Sequence, residues 1–236
     1  MPTQVGSTTT DFDDATPTSL TTSYTQAAGS DLLLVVMVGT EDGGATHDSV
    51  TFDTVGLVKK SDLNAQGRRT TIWTLINPNV TTANIVVTLS GAADIAMIAT
   101  SWQDVHQTTP VTDAQTASGV STSPSVTVAS ASGELVLNAV NNGDDGGDPT
   151  ADTGTEIADV EVTGDFRFHA SQQAGAAPNV DMDWTIASTE WNSGGISIQP
   201  PAAAGWVGGD PNTVPNANVG SVNTVLRANI NTVNTV

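Results

Sequence analysis

Short strand-like segments separated by turn residues constrain the fold of this chain more than any other feature of its sequence. Leu32 to Val38 is a continuous apolar run, and Glu134 to Val140 alternates between apolar and polar residues. The stretches between such segments, Ser90 to Asp94 for example, are rich in Gly, Asn, Asp and Ser, which favour turns. About a dozen segments follow one another, and none of useful length has a helical period. The pattern predicts an all-β fold, a jelly-roll-like antiparallel β-sandwich.

The charge of the chain excludes several classes of partner. Asp, Glu, Lys and Arg make up 13% of the residues, against about 25% in an average soluble domain. The net charge is −19, with six basic residues. A field of this sign repels nucleic acid and anionic membranes, so neither is expected as a partner. The sequence contains no cysteine, which excludes disulfides, thiolate metal sites and cysteine nucleophiles.

Neither a leader nor a membrane span is expected from the sequence. The first residues, Met1 to Val5, lack the basic and apolar regions of a signal peptide. The longest apolar run, Leu32 to Val38, is far too short to cross a bilayer. We therefore expect a soluble protein that is made in a cytoplasm.

Three segments differ in composition. Residues 1–18 are rich in Thr and Asp and are typical of an arm or an edge strand. Residues 19–200 carry the strand signals without an internal boundary, which predicts one sandwich. Residues 201–236 begin with a Pro/Ala linker and continue as a predicted docking tail.

The tail repeats Asn-Thr-Val four times, at Asn212, Asn223, Asn231 and Asn234. Its apolar residues, spaced mostly three to four apart, are too few to build a core of their own. A helix, an extended repeat and a disordered tail all remain open, although disordered segments are normally poor in β-branched residues. Trp206 lies in the connector and is either a docking anchor or a platform for a sugar ring, and the anchor is the favoured interpretation. The predicted partner-docking residues are Trp206, Val214, Val219, Val222, Val225, Leu226, Ile230, Val233 and Val236.

The densest acidic loop is a candidate calcium site. Asp144, Asp145 and Asp148 lie among Asn and Gly residues, and Ca²⁺ prefers several oxygen ligands on a turning backbone. The register does not match an EF-hand, and a plain solvated loop is the alternative. No other cofactor is expected.

No catalytic motif stands out, so the chain is predicted not to be an enzyme. His47, His106 and His169 lie in separate segments, and a G-x-S-x-G elbow is absent. A carboxylate pair for glycoside hydrolysis could come from Glu134, Glu156, Glu161 and Glu190, but nothing selects two of them. Trp73, Trp102 and Trp184 lie in alternating apolar patterns and are predicted to be core residues.

Several segments together resemble a jelly-roll module of tailed-phage virion structural proteins and of some large bacterial surface proteins. They are Leu32 to Val38, Thr71 to Pro78, Ile85 to Gly91, Ala99 to Pro110, Gly133 to Asn138 and Trp184 to Pro200. The most specific block is Trp-x-x-Val-x-Gln-Thr-Thr-Pro, which ends at Pro110. The Asn/Val-rich tail is similar to repeated tails of phage virion proteins.

The resemblance implies a function in display or attachment. It favours a capsid decoration (cement) protein that resides in the virion and binds the major capsid protein or other virion subunits. It also implies a homo-oligomer, for example a trimer. The alternatives are a tail or fibre component and a carbohydrate- or receptor-binding module.

Overall fold

The computed structural model describes residues 1–41, 44–143, 148–162, 164–187 and 190–202, and within these residues the chain is built from strands without a helix. Accordingly, no helix in this part is long and apolar enough to cross a membrane. Met1–Pro201 form one compact unit. The predicted all-β, jelly-roll-like antiparallel sandwich is confirmed.

The first half of the unit forms two sheets. An inner sheet has the order β1-β9-β3-β7-β6, and an outer sheet has the order β2-β8-β4-β5. The strands are β1 (Thr3–Asp13), β2 (Ser19–Thr25), β3 (Leu33–Glu41), β4 (His47–Phe52), β5 (Val55–Gly56), β6 (Val58–Ala65), β7 (Arg68–Ile76), β8 (Thr82–Leu89) and β9 (Ile95–Gln103).

The second half repeats this arrangement. Its inner sheet has the order β10-β17-β12-β15-β14, and its outer sheet has the order β11-β16-β13. The strands are β10 (Val111–Val120), β11 (Ser125–Ala129), β12 (Leu135–Gly143), β13 (Thr150–Ala151), β14 (Thr155–Val162), β15 (Phe166–Ala174), β16 (Asn179–Thr185) and β17 (Glu190–Ile198).

Each half is therefore a jelly roll, in which the chain alternates between two sheets. We count the strands of each half in chain order. In both halves the first, last, third and sixth strands lie side by side, in that order, in the inner sheet, and the second, seventh and fourth lie side by side in the outer sheet. In the first half β5 and β6 together serve as the fifth strand: β5 pairs with β4 and β6 pairs with β7. The two jelly rolls together span residues 3–198, where the sequence suggested one sandwich over residues 19–200, and the first strand, β1, lies within the predicted N-terminal arm.

The two jelly rolls pack inner sheet against inner sheet. The central cluster contains Met37 and Ile72 from the first half and Leu137 and Phe168 from the second. Separate clusters fill the space between the inner and outer sheet of each half. Contacts across the centre are reciprocal: β1 meets β14, and the equivalent strand β10 meets β6. Such reciprocity is what an approximate twofold axis produces, so the halves are arranged like the two subunits of a dimer.

Because both faces of an inner sheet are covered, its central strands are buried throughout. All residues of β3 except Glu41 are buried, which confirms that Leu32 to Val38 forms a central strand. The packing is close at Gly39, where an added Cβ would lie 2.5 Å from the ring of Phe168.

One end of the central interface is polar. Asn141 and Asn192 are cross-strand partners in the second half. The Asn141 amide donates to the carbonyls of Thr40 and Arg69, at 3.0 and 3.2 Å. The Asn192 amide donates to the carbonyls of Arg68 and Ala65, at 2.7 and 3.3 Å. These two side chains join the halves by hydrogen bonds that only one relative position of the sheets allows.

Candidate functional site

Most of the predicted site residues lie outside the part of the chain that the structure describes. These are Asp144 and Asp145 of the acidic loop and the docking residues Trp206, Val214, Val219, Val222, Val225, Leu226, Ile230, Val233 and Val236. Asp148, at the end of the acidic loop, is described, and it belongs to a cluster of charged side chains.

Arg167 is the centre of this cluster. Among the described residues its guanidinium contacts the carboxylates of Asp148, Asp159 and Glu161: Nη1 lies 3.2 Å from Asp148 and 3.1 Å from Asp159, and Nη2 lies 2.7 Å from Glu161. The Arg167 side chain is only 7% exposed, whereas that of Asp148 is 93% exposed. Burial removes water from the guanidinium, so the carboxylates must supply its hydrogen bonds. The β14–β15 hairpin positions two of them, because Glu161 lies opposite Arg167 and Asp159 opposite His169.

His169 lies behind Asp159 and is fully buried. Its Nδ1 is 3.0 Å from Asp159 Oδ1, and its Nε2 contacts the side-chain oxygen of Asn142. The ring also packs on Trp184, with centroids 5.3 Å apart. Burial lowers the pKa of His169, although Asp159 opposes this effect. Burial alone would raise the pKa of Asp159, but His169 and Arg167 together hold it below its ordinary value.

The chemistry that this cluster supports is ion pairing across two strands and a loop. The Asp148 carboxylate is engaged by Arg167, so a cation at this carboxylate would have to compete with a guanidinium. Within the described residues no group of three or more His, Asp or Glu side chains is arranged to hold a metal ion. Glu156 is near the same carboxylates, and its pKa is raised by burial and by the charges of Asp159 and Asp148.

The other two histidines have separate environments. His47 is buried between two hydroxyls, with Nε2 3.0 Å from Thr40 Oγ1 and Nδ1 2.7 Å from Thr71 Oγ1. Burial lowers the pKa of His47 to about 3. His106 lies in the connection between the two jelly rolls, where its Nδ1 accepts hydrogen bonds from the amides of Thr108 and Thr109.

The remaining two of the four glutamates considered for a carboxylate pair, Glu134 and Glu190, also have individual partners. Glu134 accepts from the Ala131 amide at 2.9 Å and from the Ser197 hydroxyl at 2.8 Å. It borders an open groove of about 260 Å³ that Asp113 and Pro178 also line. Glu190 lies 3.8 Å from the Arg68 guanidinium. The glutamates thus serve different local networks.

The tryptophans of the body pack in its core. Trp73, Trp102 and Trp184 are 4%, 1% and 0% exposed, which confirms the sequence prediction for them. Trp184 donates its ring N–H to the side-chain oxygen of Asn138 at 2.7 Å, so a buried polar atom on each side is satisfied.

The sequence pattern alone did not predict the Arg167 cluster. The signal that could have revealed it is the spacing of charged residues along β14 and β15, which places Arg167 opposite Glu161 and His169 opposite Asp159. No protein-family model matches this chain, and neither a curated protein nor a solved structure does.

Proposed function

We propose that this chain is a non-enzymatic virion structural protein, a capsid decoration protein that binds the head surface through its C-terminal tail, residues 201–236. The observation that carries the proposal is the pair of jelly rolls packed back to back, because jelly rolls are a common architecture of viral capsid domains. The resemblance of the sequence to virion modules supports the same conclusion.

The distribution of charge supports the tail as the attachment segment. Residues 203–236 contain one acidic and one basic residue, Asp210 and Arg227, so their net charge is zero and the whole −19 belongs to residues 1–202. A neutral segment can approach a partner surface of either charge, whereas the acidic body would be repelled by an acidic surface. The regularly spaced Val and Ile residues of this segment supply the apolar surface that an interface core needs.

The test uses virion heads that lack this protein, and it compares how the full chain and a shortened chain bind to them. We expect the full chain to cosediment with the heads, and a chain that ends at Ala202 to remain in the supernatant. Val225→Ala should weaken binding, whereas the control Val80→Ala, at an apolar position of the body that is 58% exposed, should not. Undiminished binding by the shortened chain would refute attachment through the tail.

A carbohydrate- or receptor-binding module in a tail or fibre is the second candidate, and the outer sheet of the first half favours it. The outward positions of β2 and β8 are uncharged and mostly exposed. Ser19, Ser23 and Thr25 face Thr88, Asn84 and Thr82, while Thr21 faces the half-buried Val86. Hydroxyl and amide groups in such a row suit hydrogen bonding to sugars. A glycan array probed with and without Ca²⁺ should give hits that Thr21→Val weakens, and an array without hits would exclude this candidate.

A further inference from the structure

The inner sheets end in four edge strands within the described residues: β1 and β6 in the first half, β10 and β14 in the second. An unpaired edge offers a row of free backbone N–H and C=O groups to any other strand. Proteins normally protect such edges with charged side chains, bulges or covering segments. The four edges of this protein differ in that protection.

Three of the edges are protected. β14 carries Glu156, Asp159 and Glu161, and β6 carries Lys59, Lys60 and Asp62. β1 has an irregular register between Val5 and Thr9, with Gly6 at a φ of 70°, and it ends in two aspartates. An approaching strand would therefore meet either charge or a break in the hydrogen-bonding pattern.

β10 lacks these features over most of its length. From Ala114 to Val120 the strand has no charged residue. Its pairing with β17 is regular throughout that stretch, from Ala114 opposite Ile196 to Val120 opposite Glu190. Gln115, Thr116 and Ser118 are exposed, and Val120 is 65% exposed. No described residue pairs with its outer edge.

The outer-sheet strand β2 is also an uncharged edge strand, but unlike β10 it has another strand, β1, beside its edge. Asp11 of β1 accepts a hydrogen bond from the Thr22 hydroxyl at 2.5 Å, so β1 partly covers that edge. In the second half the corresponding contact is at the start of β10, where Asp113 accepts from the Ala129 amide at 2.8 Å. The stretch from Ala114 onward lies beyond this contact.

We infer that β10 is a self-association site, where residues 114–120 pair antiparallel with the same strand of a second copy. With Ala117 on the twofold axis, Thr116 lies opposite Ser118 of the second copy and Ala114 lies opposite Val120. Every pair is uncharged, so two molecules of charge −19 meet where no carboxylate faces another. The two inner sheets would then form one continuous sheet across an isologous interface. This inference does not depend on a location in the virion.

The charge of the body predicts an unusual salt response. Two acidic molecules repel each other at low ionic strength, and salt screens this repulsion over a Debye length of about 8 Å at physiological ionic strength. The hydrogen bonds between the two strands do not depend on net charge. We therefore expect dimerisation to strengthen as NaCl is raised, whereas an interface held by salt bridges would weaken.

The test uses sedimentation of the full chain and two variants of opposite charge. Thr116→Lys with Ser118→Lys places like charges opposite each other in the dimer, as does Thr116→Glu with Ser118→Glu. Each variant alone should dimerise about tenfold more weakly or worse, and an equimolar mixture should form a heterodimer. The matched control is Thr10→Lys, since Thr10 is opposite Ile98 as Thr116 is opposite Gly194, and it should leave dimerisation unchanged.

Hydrogen exchange adds a readout that locates the contact. Alternate amides of β10 should gain protection as the protein concentration is raised, while those of β1 should not. A full chain that stays monomeric up to about 1 mM, or lysine and glutamate variants that dimerise as the wild type does, would overturn the inference. If shortening the chain to residue 202 abolishes β10 protection, the strand accepts the tail of a neighbour instead, and the inference is likewise overturned.

Discussion

The hydrogen bonds that Asn192 makes across the central interface give the sharpest test of how the two jelly rolls hold together. Its side chain is fully buried, donates to the carbonyls of Arg68 and Ala65, and accepts from the hydroxyl of Thr70. Asn192→Leu keeps a similar volume but leaves the Arg68 carbonyl and the Thr70 hydroxyl buried without this partner. An unsatisfied buried group costs about 1–3 kcal/mol, partly offset by the apolar surface of leucine.

We therefore expect Asn192→Leu to lower the free energy of unfolding by about 2–4 kcal/mol. For a domain of this size the melting temperature should fall by about 10 °C. Urea unfolding followed by tryptophan fluorescence measures the first quantity and calorimetry the second. The matched control is Asn84→Leu, at an exposed position of β8, which should change stability by less than about 0.5 kcal/mol.

A double-mutant cycle with Thr70→Val separates the hydrogen bond from packing. If the two side chains interact as the structure indicates, the double variant should lose less than the sum of the single losses, with a coupling of about 1 kcal/mol. A loss below about 0.5 kcal/mol for Asn192→Leu, or strictly additive effects in the cycle, would refute the claim that these hydrogen bonds fix the two halves.

Three further predictions concern the charged cluster, the pH response and the close packing between the halves. Arg167→Met removes the cation from Asp159 and from two more exposed carboxylates and should lower the free energy of unfolding in urea by about 1–3 kcal/mol. Lys59→Met, at a more exposed ion pair, should lower it by less than about 1 kcal/mol, and equal losses would contradict the role of burial. Because His47 is neutral when folded but has a pKa of about 6.5 when unfolded, the unfolding free energy should fall as the pH drops from 6.5 towards 3, by up to about 1.4 kcal/mol per pH unit. His47→Asn should flatten this dependence, and an unchanged pH profile would exclude His47 as its source. Gly39→Ala places a methyl group against the ring of Phe168 in the other half and should lower the free energy of unfolding by about 1–3 kcal/mol. The control Gly56→Ala meets open space and should be nearly neutral, and thermal unfolding of both variants measures the difference.

The charged cluster shows how far local patterns reach. The sequence singled out the acidic loop because Asp, Asn and Gly are concentrated there, and Asp148 indeed contacts the cluster. It did not reveal Arg167 as the centre, because the guanidinium and its carboxylates come from β15, β14 and a loop. Their meeting depends on hairpin register, which the residue types alone leave open.

The duplication of the jelly roll is likewise a property of the tertiary structure. β3 and β12 occupy equivalent positions, yet one reads LLVVMVGTE and the other LVLNAVNNG. A sheet order depends on which strands pair, and different residues can fill equivalent positions if their backbone hydrogen bonds and total volume are preserved. Sequence similarity between the halves is therefore not needed to keep the fold.

Three properties could be predicted from the order of residues: the strand content of the protein, the central position of Leu32 to Val38, and the burial of Trp73, Trp102 and Trp184. These properties follow from the local alternation of apolar and polar side chains, which each segment carries independently of the others. The tertiary structure was needed to show that Glu134 to Val140 belongs to a strand buried on both faces. Its alternation of apolar and polar residues predicts one solvent-exposed face. The Asn138 side chain is buried instead, where it donates a hydrogen bond to Ser193 and accepts one from Trp184. A polar residue can be buried when its partners are in place, and those partners come from distant parts of the chain.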